Sequence, residues 1–276
     1  MKQGEAMLDP FKLFAFERTA LPIMEALFLL AAIFYSPPAM SNKKLLKTAG
    51  FVIHIAATAI VAGFLVMRFF ITGHAPFVVL YETLVYFAFS VSLVFLVLSW
   101  RKDSFGYGRG AAIFSWILLL AALIKRLVDQ SGTYPRYLSP ALTNALFEPH
   151  AAVAFPAYAL FALAFMAAFT SLTASDKEKR KQRQSLAEFY LWPGIILFVI
   201  SAGLGAMASR TFFGFWWSWE AKQIAAIAIA VIFALALITR SSKGKTARLF
   251  PWLVLLGFVV VILTWLATNS GLHEFL

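Results

Sequence analysis

Eight runs of apolar residues follow one another along the chain, each near the roughly 20 residues a helix needs to cross the hydrocarbon core of a bilayer. They lie at about 20–35, 50–71, 77–100, 111–127, 151–172, 190–207, 221–238 and 249–267. In lipid every backbone N–H and C=O must be satisfied within the spanning segment, so such runs fold as helices. The residue-by-residue alternation of a membrane barrel is missing from them. Composition agrees: 61% of the residues are hydrophobic and 13% are charged, against roughly 25% charged in soluble domains. A soluble core of this size has no room for so many apolar side chains, whereas a bilayer solvates them. The expected fold is all-α: a polytopic integral membrane protein of about eight transmembrane helices, forming a single transmembrane domain over residues 1–276. No internal repeat, low-complexity tract or soluble domain interrupts it.

The formal net charge is +11, and its distribution argues for membrane topology rather than nucleic-acid binding. The loops after spans one, three, five and seven hold 15 of the 24 Lys and Arg residues. They are Lys43, Lys44 and Lys47; Arg101, Lys102 and Arg109; Lys177, Lys179, Arg180, Lys181 and Arg183; and Arg240, Lys243, Lys245 and Arg248. The positive-inside rule puts these loops in the cytoplasm and both termini on the external or periplasmic side of a cell (inner or plasma) membrane. The first apolar run follows Arg18 and reads as a retained span, not a cleaved signal peptide. Cysteine is absent, which excludes disulfides and thiolate metal sites.

Four histidines are the candidate ligands. On this topology His74, His150 and His273 lie at the outer surface, and His54 lies inside span two toward its cytoplasmic end. Histidine is a common metal ligand and proton carrier. Glu25 and Glu82 fall inside spans, where a charged carboxylate at mid-bilayer costs roughly 2.5–3.5 kcal/mol. Each is therefore a candidate functional group.

The segment from Phe212 to Glu220 stands apart. Six of the eight residues from Phe212 to Trp219 are aromatic, more than an interfacial belt of one or two per helix end requires. If the segment is helical, Phe212, Phe215, Trp216 and Trp219 share one face. That predicts a broad apolar shelf at the outer surface, suited to a large flat apolar ligand with a metal at its centre. Arg210 and Lys222 flank it and are placed to pair with anionic groups on such a ligand.

The stretch from Gly205-Ala206 to Trp216-Trp217-Ser218-Trp219-Glu220-Ala221-Lys222 resembles the tryptophan-rich WWD signature of haem-handling proteins in cytochrome c biogenesis. It is most similar to the CcsA/ResC type of the System II pathway. Gly73-His74-Ala75-Pro76 with Leu80-Tyr81-Glu82-Thr83-Leu84, then Leu138-Ser139-Pro140-Ala141-Leu142 with His150, then Gly271-Leu272-His273 resemble further family segments in the family's order. The resemblance covers about Gly73 to the C-terminus. It implies an external haem b site at about 205–223, with His150 and His273 as axial ligands of the iron. Phe213, Trp216, Trp217, Trp219, Glu220, His74, Arg210 and Lys222 would bind the rest of the haem. It also implies the activity: a probable subunit of a cytochrome c synthase (haem lyase), holding haem for thioether attachment to the Cys-x-x-Cys-His of apocytochrome c. The implied partners are a ResB/CcsB-like membrane protein, apocytochrome c and the lipid bilayer. No catalytic residue is indicated. The chain departs from the pattern at Ala208, Phe213, Glu220, Ala221 and Gln223, and Thr239 stands where the family often has a transmembrane histidine. These departures suit an alternative, a HemX-like regulatory or assembly protein without ligase activity. A transporter of haem or another solute is the remaining alternative; it would show broken helices in paired positions of two halves.

Overall fold

The computed structural model describes residues 10–35, 43–77, 79–99, 105–128, 145–242 and 246–266. All regular elements among these residues are helical. They are α1 (Pro10–Tyr35), α2 (Lys43–Thr72), α3 (Leu80–Leu98), α4 (Gly108–Val128), α5 (Phe147–Leu172), α6 (Lys177–Phe213), α7 (Ala221–Ser241) and α8 (Phe250–Leu266), with short 3-10 turns at Phe105–Tyr107 and Thr246–Leu249. All eight helices are long and apolar enough to cross a membrane. The protein is a multi-span helical membrane protein.

Hydropathy marks the hydrocarbon-crossing part of a helix, not its ends. Thus α1 begins at Pro10 rather than near Ala20, and α2 at Lys43 rather than Gly50. The largest difference is α6. Residues Lys177 to Arg183, expected as a loop, are its first turns. Lys, Glu, Gln and Arg are good helix formers, and Asp176 starts the helix by accepting the Glu178 N–H at 3.0 Å.

The chain divides into two compact units, Met1–Tyr137 and Leu138–Leu276, a division that the apolar runs do not mark. In unit 1, α1 packs on α2 and α4, and α3 packs on α2 and α4. Neighbours are antiparallel: Phe16 stacks on Phe64, with ring centroids 5.7 Å apart, while Tyr35 meets His54 nearer the other end of α1. The core is a layer of Leu21, Met24, Phe28, Val61, Phe64, Phe87, Val91, Phe95 and Leu119. In unit 2, α5 is the enclosed helix. Its alanines at 154, 157, 164, 167 and 168 are buried and let α6 approach closely. Phe161 of α5 stacks on Phe233 of α7 at 4.2 Å, and Phe165 meets Phe258 of α8 at 5.1 Å. The outward faces carry exposed Ile196, Val199, Val231 and Ile238, as expected of helices whose outer solvent is lipid.

Candidate functional site

One end of unit 2 is built from the start of α5, the end of α6 and the start of α7. His150 sits in the first turn of α5. Its Nδ1 lies 2.7 Å from the backbone carbonyl oxygen of Ser201 on α6. A carbonyl can only accept, so Nδ1 carries the proton and donates. In the neutral ring, Nε2 then keeps its lone pair, the form in which histidine binds a metal. The Ser201 hydroxyl donates to the His150 carbonyl oxygen at 3.0 Å and also lies 3.0 Å from Nδ1.

The aromatic segment follows directly. The sequence predicts one helical face through Trp219; the structure corrects this. α6 ends at Phe213, and Gly214 adopts φ 84°, a left-handed C-terminal cap that glycine takes without a Cβ penalty. Residues Phe215 to Glu220 then form an irregular connection, so Phe212, Phe215, Trp216 and Trp219 do not share a helix face. Hydrogen bonds fix the connection. The Ser209 hydroxyl donates to the Phe215 carbonyl at 2.9 Å, and Arg210 donates to the Gly214 carbonyl. Gln223 Oε1 accepts from the Ser218 N–H at 2.7 Å and the Ser218 hydroxyl at 3.0 Å. Trp219 takes a positive φ of 58°, and Glu220 is the N-cap of α7. A non-glycine residue held there is strained and needs surrounding bonds to persist. Phe213 stacks on Phe215 at 5.8 Å, and Trp217 meets Trp219 edge to face at 5.9 Å. Trp216 and Trp219 are exposed, whereas the indole N–H of Trp217 is buried without an acceptor among the described residues. Lys222, in the first turn of α7, is within electrostatic reach of His150.

The structure therefore brings His150, Arg210, Phe213, Trp216, Trp217, Trp219, Glu220 and Lys222 to one end of unit 2. His273 and the Leu138–Leu142 segment lie outside the described residues. The donor set suits haem: an imidazole whose Nδ1 is bonded to the backbone, aromatic faces, an indole donor without an acceptor among the described residues, and two cations.

His74 belongs to unit 1. It is buried between α2 and α3, and its Nδ1 donates to the Ala75 carbonyl at 3.0 Å. His54 is fully buried, about three turns from the start of α2. Its Nε2 pairs with Ser92 Oγ at 3.0 Å and its Nδ1 with the Tyr35 hydroxyl at 3.4 Å. Ser92 in turn meets Ser115 at 3.0 Å. With both ring nitrogens engaged, His54 is a buried hydrogen-bonded histidine that ties all four helices of the unit.

A second polar layer lies toward the other ends of the same helices, and sequence reading found only part of it. Arg68 of α2 donates through Nε to Glu82 of α3 at 2.7 Å and through Nη1 to Glu17 of α1. Arg126 of α4 lies 3.6 Å from the second Glu17 oxygen. The guanidinium of Arg68 also sits over Tyr81, 5.0 Å from the ring centroid. All four charged side chains are at most 5% exposed. The missed signal was opposite charge at matching depth on successive spans. Glu25 does not join this layer; its Oε1 is buried without a hydrogen-bond partner among the described residues.

An eight-span helical chain with an imidazole and a tied aromatic connection at one end of its second unit defines a class of polytopic membrane protein with a candidate ligand site there. Residues 77–273 match the family described as Cytochrome C assembly protein, and the chain belongs to that family. It is 25% identical to the protein NrfI of Wolinella succinogenes over 303 aligned positions, covering 99% of this chain and 31% of that protein. The chain thus spans about a third of NrfI's length. It is 23% identical to the cytochrome c biogenesis protein CcsA of Prochlorococcus marinus (strain MIT 9303), covering 79% of this chain and 81% of that protein. It is also 24% identical to the cytochrome c biogenesis protein CcsA of Adiantum capillus-veneris, covering 77% of this chain and 82% of that protein.

Proposed function

We propose that this chain is a System II, CcsA/ResC-type subunit that holds haem b at the external membrane face for attachment to apocytochrome c. The observation that carries the reading is His150. Its Nδ1 proton is given to the α6 backbone at the same end of unit 2 as the aromatic connection. Nε2 of His150 would ligate the iron, and the family resemblance implies His273 as a second ligand. Phe213, Trp216, Trp217 and Trp219 supply apolar surface, and the Trp217 indole, Arg210 and Lys222 supply donors for propionates. Glu220 occupies the N-cap position of α7, where its backbone carbonyl accepts the Ile224 N–H at 2.9 Å. For His74, in unit 1, a haem role rests on the family resemblance alone. The haem supplies two vinyl groups, across each of which a cysteine S–H of the Cys-x-x-Cys-His segment adds without losing an atom. The chain contributes orientation and exclusion of water rather than acid–base chemistry.

A ResB/CcsB-like membrane protein is the proposed partner. Both termini are placed outside, because the basic groups cluster on one side of the spans. Reporter fusions after Lys47, Lys102, Lys181 and Lys245 should all report cytoplasm; an external signal from any of them contradicts this orientation. Ligase function is tested by co-expressing the chain, a ResB-like partner and a reporter apocytochrome in cells without another maturation system. Covalently haem-stained reporter is the expected result. Bound haem without stained reporter favours the HemX-like reading, which Thr239 supports: its hydroxyl donates to the Ala236 carbonyl at 2.8 Å and stands where the family often has a histidine. The transporter reading gains no support, since each of the eight spans is a continuous helix among the described residues.

A further inference from the structure

Ser201 and Gly205 are one turn apart on α6, and the His150 ring lies against both. In a helix the Ser201 carbonyl points along the axis toward the N–H of Gly205. A carbonyl has a second lone pair, but neighbouring side chains usually crowd access to it. Here a Cβ at position 205 would lie 3.0 Å from both Nδ1 and Cε1 of the imidazole. The missing side chain is what lets a ring from another helix reach the carbonyl at 2.7 Å. The Ser201 hydroxyl completes the cradle by donating to the His150 carbonyl.

We propose that Ser201 and Gly205 are positioning residues that hold His150 in the Nδ1–H tautomer, leaving the lone pair on Nε2, and that they thereby set its strength as an iron ligand. The second half rests on the haem-binding reading; the tautomer is a property of the chain itself. An imidazole that gives its Nδ1 proton to a carbonyl is a more basic ligand. A more basic ligand favours ferric over ferrous iron. Weakening the bond to Ser201 therefore raises the midpoint potential.

The test uses the full chain, labelled with nitrogen-15 histidine, in lipid nanodiscs, first without haem. The His150 signals are assigned by their loss in His150→Gly. Wild type should show a protonated Nδ1 and a bare Nε2. Gly205→Ala should shift the ring to a mixture of tautomers. Gly203→Ala, where an added Cβ meets nothing within 4 Å, should leave it unchanged. Ser201→Ala should shift it less than Gly205→Ala does, and Ser201→Thr should restore it. If Gly205→Ala does not fold, the Ser201 pair decides. After loading with haem, the potential should rise in the order wild type, Ser201→Ala, Gly205→Ala. A proton on Nε2 in wild type, or an unchanged tautomer in both Gly205→Ala and Ser201→Ala, overturns the proposal. Shifted tautomers with unchanged potentials overturn its second half. A chain that shows the expected tautomer but takes up no haem contradicts the haem reading and leaves the positioning role standing.

Discussion

Replacing Arg68 with methionine should destabilise unit 1 by about 3–5 kcal/mol, the usual cost of removing one partner from a buried ion pair. Arg68 bridges Glu17 and Glu82, and all three side chains are at most 2% exposed. Without it, two carboxylates remain in a low-dielectric layer, with Arg126 at 3.6 Å from Glu17. Methionine preserves much of the apolar stem, so lost packing contributes little. Arg68→Lys should recover only part of the loss, because a single ammonium cannot reproduce the guanidinium fork that meets both acids. Adding Glu82→Gln to Arg68→Met should recover part of the loss, since it removes one unpaired carboxylate and leaves Glu17 beside Arg126. Chemical unfolding of the purified variants in detergent, followed by loss of helicity, reads the ranking. Equal stability of Arg68→Met and wild type would show that the four charges do not form a buried, interdependent layer.

The second large effect is expected at His150. His150→Gly should weaken haem binding by more than the roughly 10–100-fold that follows loss of an outer-shell partner, because it removes the ligand itself. The remaining haem should show one axial position open to water or empty. Added imidazole should fill the space left by the deleted side chain and restore the six-coordinate spectrum. His54→Ala is the informative comparison, being a buried histidine with both ring nitrogens hydrogen-bonded inside unit 1. It should lower stability and leave haem occupancy of the folded fraction unchanged. Loss of haem in His54→Ala with retention in His150→Gly would reverse the assignment of sites.

What the sequence made legible follows from what is local. Apolar runs locate eight spans because hydrocarbon thickness fixes their length. The aromatic segment is visible because its density exceeds interfacial need. Its conformation was also encoded: Arg210 in the last turn followed by Gly214 is a helix stop, and extending one helical face to Trp219 overlooked it. Other features depend on packing. Glu17 lies outside the expected first span because hydropathy begins to rise only near Ala20. Arg68 and Arg126 resemble ordinary span-end anchors until their partners on other helices are known. The cradle of Ser201 and Gly205 acquires meaning only from His150, which is 51 residues away in the chain. No local pattern marks such a contact.

Haem binding at the aromatic end is read from the absorption spectrum of wild-type protein purified from haem-replete cells, followed by titration with haem. A six-coordinate b-type spectrum is expected, present on purification or gained on titration, saturating at one haem per chain and altered by His150→Gly. Well-folded protein that shows no haem absorbance and gains none on titration would contradict it.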